Sequence, residues 1–526
     1  MASQKTDQLL RLIASQTKTE KRHFRLFVRR NQASDNLLFL QLFDFLDKHK
    51  QYDEDLLLRK LPGIKKRQLS NLKAHLYRQL LTSLRLLHAQ HSPEMQLREF
   101  LDYARVLYDK GLYRQSLEML ERARERAWQG HFYAILLEIL DLEQQLEGQY
   151  ITRSVTGRAE TLTAEAEWLH RTFEGAQKYA HLSLKLYSLY LKVGYARNEK
   201  DHHFVQAFFK ANRPAIAFGE LDFLGKVHYC HSHIWYHFIA QEFRHCYRHA
   251  FHWVRLFHRE PDMIQLHASL YLKGLHNLLN ALFNMWYYDR FVEVLEVLED
   301  FPNHYPIGRE RNIEGLFTMY RYTHLIKKHF IEGSYSRGLQ LVPELEDLLV
   351  ENPYHWDDHR IMLFYYRIAC LYFGCGYFDR CIEFLNRIIQ AKHPDYREDI
   401  QCFARILNLI AHFELGNGQL VEYQAKSVYR FLSKMEDLQA VQKEIFRFLR
   451  RTLRMRSGEL QEAFEQLKFN LEQLEHNPLE RRPFLYLDIT SWLESKLAGQ
   501  SVQEVVQGKF ARREKRRLPA GLLNRL

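Results

Sequence analysis

The chain has 526 residues, 46% of them hydrophobic and 14% aromatic, enough apolar side chain for a continuous core, and it carries a formal net charge of +11. No stretch approaches about 18 uncharged apolar residues, so no membrane-spanning helix is expected. Met1 to Ser15 lacks the basic start and apolar run of a secretory signal, and the expected location is the cytoplasm.

Residues 1–90 form a basic N-terminal helical region. After the amphipathic segment Met1–Ser15, Thr17 and Glu20 fit a capping box that opens a helix through Arg30. A second, strongly apolar helix covers about Asp35 to His49, and Pro62-Gly63 breaks the chain. The third helix runs from about Lys66 to His88 with Leu69, Leu72, Leu76, Leu80, Leu84 and Leu87 along one side. Arg67, Arg78 and Arg85 project from its opposite side, which reads either as a solvated face or as a contact for an anion such as nucleic-acid phosphate.

From about residue 91 a short turn recurs between amphipathic helices. It reads Gly111-Leu112-Tyr113, Gly148-Gln149-Tyr150, Gly333-Ser334-Tyr335 and Gly376-Tyr377-Phe378; weaker copies of the turn centre on Gly194, Gln241, Trp286, Gly416 and Gly458. Successive anchors lie 37 to 47 residues apart. Glycine suits a tight turn that needs positive φ. Small residues at Ala104, Ser116 and Ala123 permit two helices to approach closely, and Cys381 repeats the pattern after Gly376. Pro261, Pro302, Pro353, Pro394 and Pro478 follow second helices and are expected to stop them. No Asn-Gly or Asp-Gly hairpin joins alternating apolar runs, so strands are not expected.

Over roughly residues 95 to 497 this pattern resembles the tetratricopeptide repeat family, as a long-helix variant with units of about 43 residues against the usual ~34. The resemblance implies an all-α fold: an α-solenoid of stacked antiparallel hairpins over residues 91–500, coiled as a right-handed superhelix. Residues 501–526 are then a basic C-terminal tail. The resemblance also implies that the first helix of each hairpin lines a concave groove. Its inward positions fall on His228, His231 and Trp235; on Lys273, His276, Asn280 and Asn284; on Tyr320, Thr323 and Lys327; and on Tyr366. Lysine and asparagine suit an extended peptide or its carboxylate. The fixed Lys, Asn and Arg set of the family's carboxylate clamp does not match and is not carried over.

Charge is uneven. Residues 1–90 hold 18 Lys and Arg against 8 Asp and Glu, and residues 509–526 hold 7 against one Glu, leaving the middle mildly acidic. In the tail Arg512, Arg513, Lys515, Arg516 and Arg517 form a second candidate nucleic-acid contact, salt-sensitive and sequence-blind if phosphate is all it meets.

Motifs for chemistry are missing. The sequence has no Gly-x-Gly-x-x-Gly, Walker-type, Gly-x-Ser-x-Gly or His-Glu-x-x-His motif, so no enzyme activity is expected, and neither a cofactor nor a metal. Eight of the 28 histidines crowd between 228 and 258 near Cys230 and Cys246, but their spacing matches no zinc module. The six cysteines are expected to be reduced core thiols. These features point to a non-catalytic intracellular scaffold or adaptor that holds protein segments. An RNA- or ribosome-associated factor using the basic ends, and a regulator responsive to a peptide, are the alternatives. A protein or peptide partner is expected, nucleic acid is a second partner class, and no membrane is involved.

Overall fold

The computed structural model describes residues 2–31, 38–49, 53–89, 92–149, 157–196, 198–391, 398–434, 440–452, 455, 457–475, 484 and 488–515. Among them the chain is almost wholly helical, without a strand. In chain order the helices are α1 (Ala2–Ser15), α2 (Lys18–Asn31), α3 (Leu38–Lys48), α4 (Glu54–Lys60), α5 (Lys66–Ala89), α6 (Pro93–Asp109), α7 (Tyr113–Gln129), α8 (Tyr133–Gln149), α9 (Arg158–Val193) and α10 (Glu199–Asn212). Then follow α11 (Phe223–Ile239), α12 (Phe243–Arg259), α13 (Asp262–Leu266), α14 (Ala268–Asn284), α15 (Tyr288–His304), α16 (Arg311–Glu332), α17 (Tyr335–Gly338) and α18 (Val342–Glu351). The last are α19 (Asp358–Gly374), α20 (Phe378–Ile389), α21 (Glu398–Glu414), α22 (Gly418–Lys434), α23 (Ala440–Thr452), α24 (Ser457–Glu475), α25 (Ile489–Ala498) and α26 (Val502–Lys515). No helix among the described residues is long and apolar enough to cross a membrane.

Contacts divide the chain into two compact units, Met1–Arg171 and Thr172–Leu526. In the first, α1, α2, α3 and α5 enclose Leu9, Ile13, Phe24, Phe43, Leu69, Leu76 and Leu80. The capping box forms as its residue types require: Thr17 N–H donates to Glu20 Oε2 at 2.6 Å and Glu20 N–H to Thr17 Oγ1 at 3.2 Å. Pro62 and Gly63 stand in the turn before α5.

Most helices pack against their neighbours in sequence through one turn geometry. Gly111, Gln241, Trp286, Gly376 and Gly416 all have positive φ, between 58° and 79°. At each, the next residue's N–H returns to a carbonyl five residues earlier, as in Tyr377 to Tyr372 and Tyr287 to Leu282. This ends the first helix in a Schellman motif and satisfies its last carbonyls. Gln241 and Trp286 adopt the conformation without being glycine, at a cost of roughly 1 kcal/mol or more. Small residues then let the two helices close. Ser116 Oγ donates to Ala104 O at 2.8 Å, and in the same register Cys246 Sγ reaches Ile234 O at 3.7 Å.

Three turn or stop expectations are corrected. Gly148 lies inside α8, and the turn before that helix is made by His131, with φ of 54°. Gly458 falls in the first turn of α24. Pro302 stays within α15, which continues to His304 and closes with Tyr305 N–H on Phe301 O; a proline near a helix end loses one hydrogen bond without stopping the helix. Pro394 and Pro478 lie outside the described residues.

In the second unit the C-terminal helix returns to the middle of the chain. On α26, Gln507 Nε2 donates to Gly333 O at 3.2 Å, and Gln503 Oε1 accepts from Ser336 N–H at 2.9 Å. Phe510 packs on Tyr288 with ring centroids 4.7 Å apart. None of the six cysteines forms a disulfide.

Candidate functional site

A polar seam runs across four helices of the second unit, α11, α14, α16 and α19. Its members are set by helical register. Lys273, His276 and Asn280 on α14 repeat at i, i+3 and i+7, and so do Tyr320, Thr323 and Lys327 on α16; such residues share one helix face. Arg360 and Arg367 stand two turns apart on α19.

Hydrogen bonds tie these faces together. Lys327 Nζ donates to Asn280 Oδ1 at 2.5 Å and lies 4.5 Å from the centre of the Phe283 ring. With its oxygen fixed by an ammonium, Asn280 must turn its amide NH₂ to His276 Nε2, at 3.0 Å. His276 therefore carries its proton on Nδ1 and donates it to His324 Nε2, at 2.9 Å. His324 in turn holds its proton on Nδ1, a buried atom with no hydrogen-bond partner among the described residues. One lysine thus fixes an amide orientation and two tautomers in series. Tyr320 stacks on His276 with centroids 4.1 Å apart, and Arg367 donates to Thr323 Oγ1 at 3.1 Å. Asn284 donates from its amide to Asn280 O at 2.8 Å.

The charges acting on the seam are cations. Burial, then Arg367, holds the Lys327 amine well below its ordinary range, and burial with Arg360 lowers Lys273. His276 is pushed well down by burial and by Lys327, Arg367, Lys273 and Arg360 together. His324 follows for the same reasons, so both rings are neutral, as their hydrogen bonds require. Neither Lys273 nor Lys327 has a carboxylate partner among the described residues. Arg360 meets Asp357 at 3.3 Å at the start of α19.

At the α11 end the expected groove residues are occupied with one another. Trp235 Nε1 donates to His231 Nε2 at 2.8 Å, so His231 donates from Nδ1 to Ser183 Oγ at 2.6 Å. Trp235 packs between Tyr187 and Tyr190, at 5.1 Å from each. His228 is brought down to about 4 by burial and then by Lys273 and His267. Tyr366 is buried on α19, and its side chain bonds to Cys370.

The structure adds His324, Arg360 and Arg367 to the residues read from sequence. His324 and Arg367 each precede their turn glycine by nine residues, one place after the inward positions at Thr323 and Tyr366. Scanning one residue to either side of each inward position finds them.

Beside the seam, α11 and α12 stack four more imidazoles. The rings of His237 and His245 lie 4.7 Å apart, as do those of His233 and His249, and His237 Nδ1 meets Glu242 Oε2 at 2.6 Å. Burial first, and neighbouring imidazoles second, bring His249 down to about 2; burial brings His233 to about 4 against the backbone bond it makes to Tyr229 O. Among the described residues no group of His, Cys, Asp and Glu is arranged to hold a metal.

The basic surfaces are built differently. Arg67, Arg78 and Arg85 are exposed on α5, and Arg85 pairs with Asp102 at 2.8 Å. In the second unit Arg513 lies 4.3 Å over the Trp286 ring, and Arg512 donates to Gly508 O at 3.1 Å, both on α26. Lys515 is the last residue of that helix, and Arg516 and Arg517 lie outside the described residues. A cavity of about 590 Å³ opens between α9 and α10, lined by Lys178, His181, Lys185 and Asn212. Lys185 is spent there on Asn212 at 3.1 Å, and the seam's convergent cations make the better candidate. No protein-family model, curated protein or solved structure matches the chain.

Proposed function

We propose that the chain is a non-catalytic scaffold or adaptor whose hairpins, in the second unit, stack as a tetratricopeptide-like α-solenoid and hold a partner protein segment along their inward face. One observation carries this reading. Three first helices of successive hairpins, α14, α16 and α19, present polar and cationic side chains in one continuous hydrogen-bonded seam. An array that only had to pack would bury apolar residues there, because desolvated amines without acid partners are costly. The nucleophile–base–orienter arrangement of a catalytic centre is not among these contacts: the basic groups are spent on one another in a chain running from Lys327 to His324.

The test is capture of partners from native cells by the full chain after crosslinking. Lys273→Glu with Lys327→Glu is expected to abolish capture of the dominant protein, and Arg67→Glu with Arg78→Glu to leave it intact. The reverse pattern, with RNA recovered, would replace the scaffold reading by an RNA-associated one.

A further inference from the structure

We infer that the exposed face of α12 binds single-stranded nucleic acid. The inference goes beyond the scaffold reading and does not use the seam. On α12, Arg244, Arg248, Arg255 and Arg259 follow at steps of four, seven and four residues, which brings all four to one side of the helix. All four are exposed, and the opposite side buries Cys246, Ala250, Trp253, Val254 and Phe257. The helix contains no lysine, aspartate or glutamate. Glu242, the acid before its first residue, meets His237 at 2.6 Å. None of the four arginines makes an ion pair among the described residues. Arg255 donates to His252 Nδ1 at 3.4 Å and lies 5.9 Å over the Phe251 ring.

From Arg244 to Arg259 the face runs about 22 Å. A strand carries a phosphate every ~3.4 Å, so about six nucleotides would lie along it. A guanidinium takes two phosphate oxygens at once and also stacks on planar rings, so an all-arginine face suits phosphate and base together. Phe251 separates this face from a merely charged one. Its ring is 37% exposed in the middle of the arginines and lies at 28° to Tyr247, with centroids 5.9 Å apart. An acidic protein helix gains little from an exposed ring between cations, whereas a base stacks on it.

The probes are fluorescein-labelled oligouridylate and oligothymidylate of twelve nucleotides and an oligoglutamate of twelve residues. Each is bound to the full chain and read by fluorescence anisotropy over a series of salt concentrations. The two strands are expected to bind alike, because phosphate and base are what the face meets. Oligoglutamate should bind at least roughly tenfold more weakly. With four phosphates engaged, log affinity should fall against log salt with a slope of about −3. Arg244→Gln with Arg248→Gln should halve that slope. Both side chains are exposed and free of ion pairs, so the circular dichroism melt should not move. Phe251→Ala should weaken both strands by roughly tenfold and leave the slope as it was. Arg67→Gln with Arg78→Gln on α5 should leave strand binding within about twofold. Equal binding of oligoglutamate, a slope that survives Arg244→Gln with Arg248→Gln, or an affinity indifferent to Phe251→Ala would each overturn the inference.

Discussion

Cations occupy two settings in this chain. On α5 the arginines are exposed, and Arg85 has an acid beside it. In the seam Lys273 and Lys327 are half-buried near further cations, and Lys327 is held by the Phe283 ring and the Asn280 amide. The first setting is cheap, since water solvates the charge and salt screens it. The second is expensive, since burial disfavours the charged form and neighbouring cations add to that. The contrast teaches where buried charge costs stability, and it is there that the partner site is proposed.

The largest expected effect is acid unfolding of the second unit. His228 and His233 titrate at about 4 and His249 at about 2, while His231, His276 and His324 are all lowered well below 6.5. Unfolding returns each ring to an ordinary pKa, so below 6.5 the unfolded chain binds more protons. Stability is therefore complete above pH 6.5 and is lost as pH falls from there toward 4. Each fully buried ring contributes at most about 1.4 kcal/mol per pH unit, and half-exposed rings less. Hydrogen exchange at pH 5 should show protection lost first across 223–374, with 66–109 still protected. Uniform loss across both would remove the distinction between the regions.

Next in size is Thr323→Asp, which sets a carboxylate beside Arg367. Thr323 is 3% exposed and already accepts from Arg367, so the new carboxylate would be paired at once. Capture of the partner segment by the full chain should fall as the carboxylate takes up the seam's charge. The melting temperature should hold, because the added charge is compensated. A fall of many degrees would mean that the cations there do not attract an anion.

Much of this contrast was legible in the sequence, for identifiable reasons. The capping box at Thr17 and Glu20, the break at Pro62-Gly63 and the α5 stripe are local patterns, and each stands where read. The seam positions on α14 and α16 were read from their distance to the turn. Arg367 was not, because the side of α19 that meets the seam is offset by one residue, and single-residue rotations of a helix leave no mark on spacing. Gly148 misled for another reason: a glycine is also tolerated in the last turn of a helix, at about 1 kcal/mol. The return of α26 to Gly333 joins residues 174 apart, and no local signal encodes it.

Lys327→Met sharpens the comparison further, with a smaller effect and an unusual sign. The folded chain holds this amine well below its ordinary range. Between that lowered value and about 10.5 the unfolded chain binds the extra proton, so the lysine already lowers stability at pH 7. A methionine of similar length keeps the contact with Phe283 without the charge. The variant should melt no lower than the parent at pH 7, and its advantage should disappear above about pH 10.5. A variant destabilised at pH 7 would show the lysine to be a structural strut.

The smallest effect is expected on α5, where Arg85→Ala removes a cation that is exposed and ion-paired. Side chains of Arg85 and Asp102 are both more than half exposed, so water replaces the lost contact. The change in stability should stay within about 1 kcal/mol and shrink further in 0.5 M salt, measured by denaturant melts. Arg67→Ala and Arg78→Ala should add to it without coupling, because no interaction joins the three side chains and each faces water. If instead the triple variant loses much more than the sum of its parts, the α5 face is an organised site in its own right. Cheap exposure would then no longer separate the two settings.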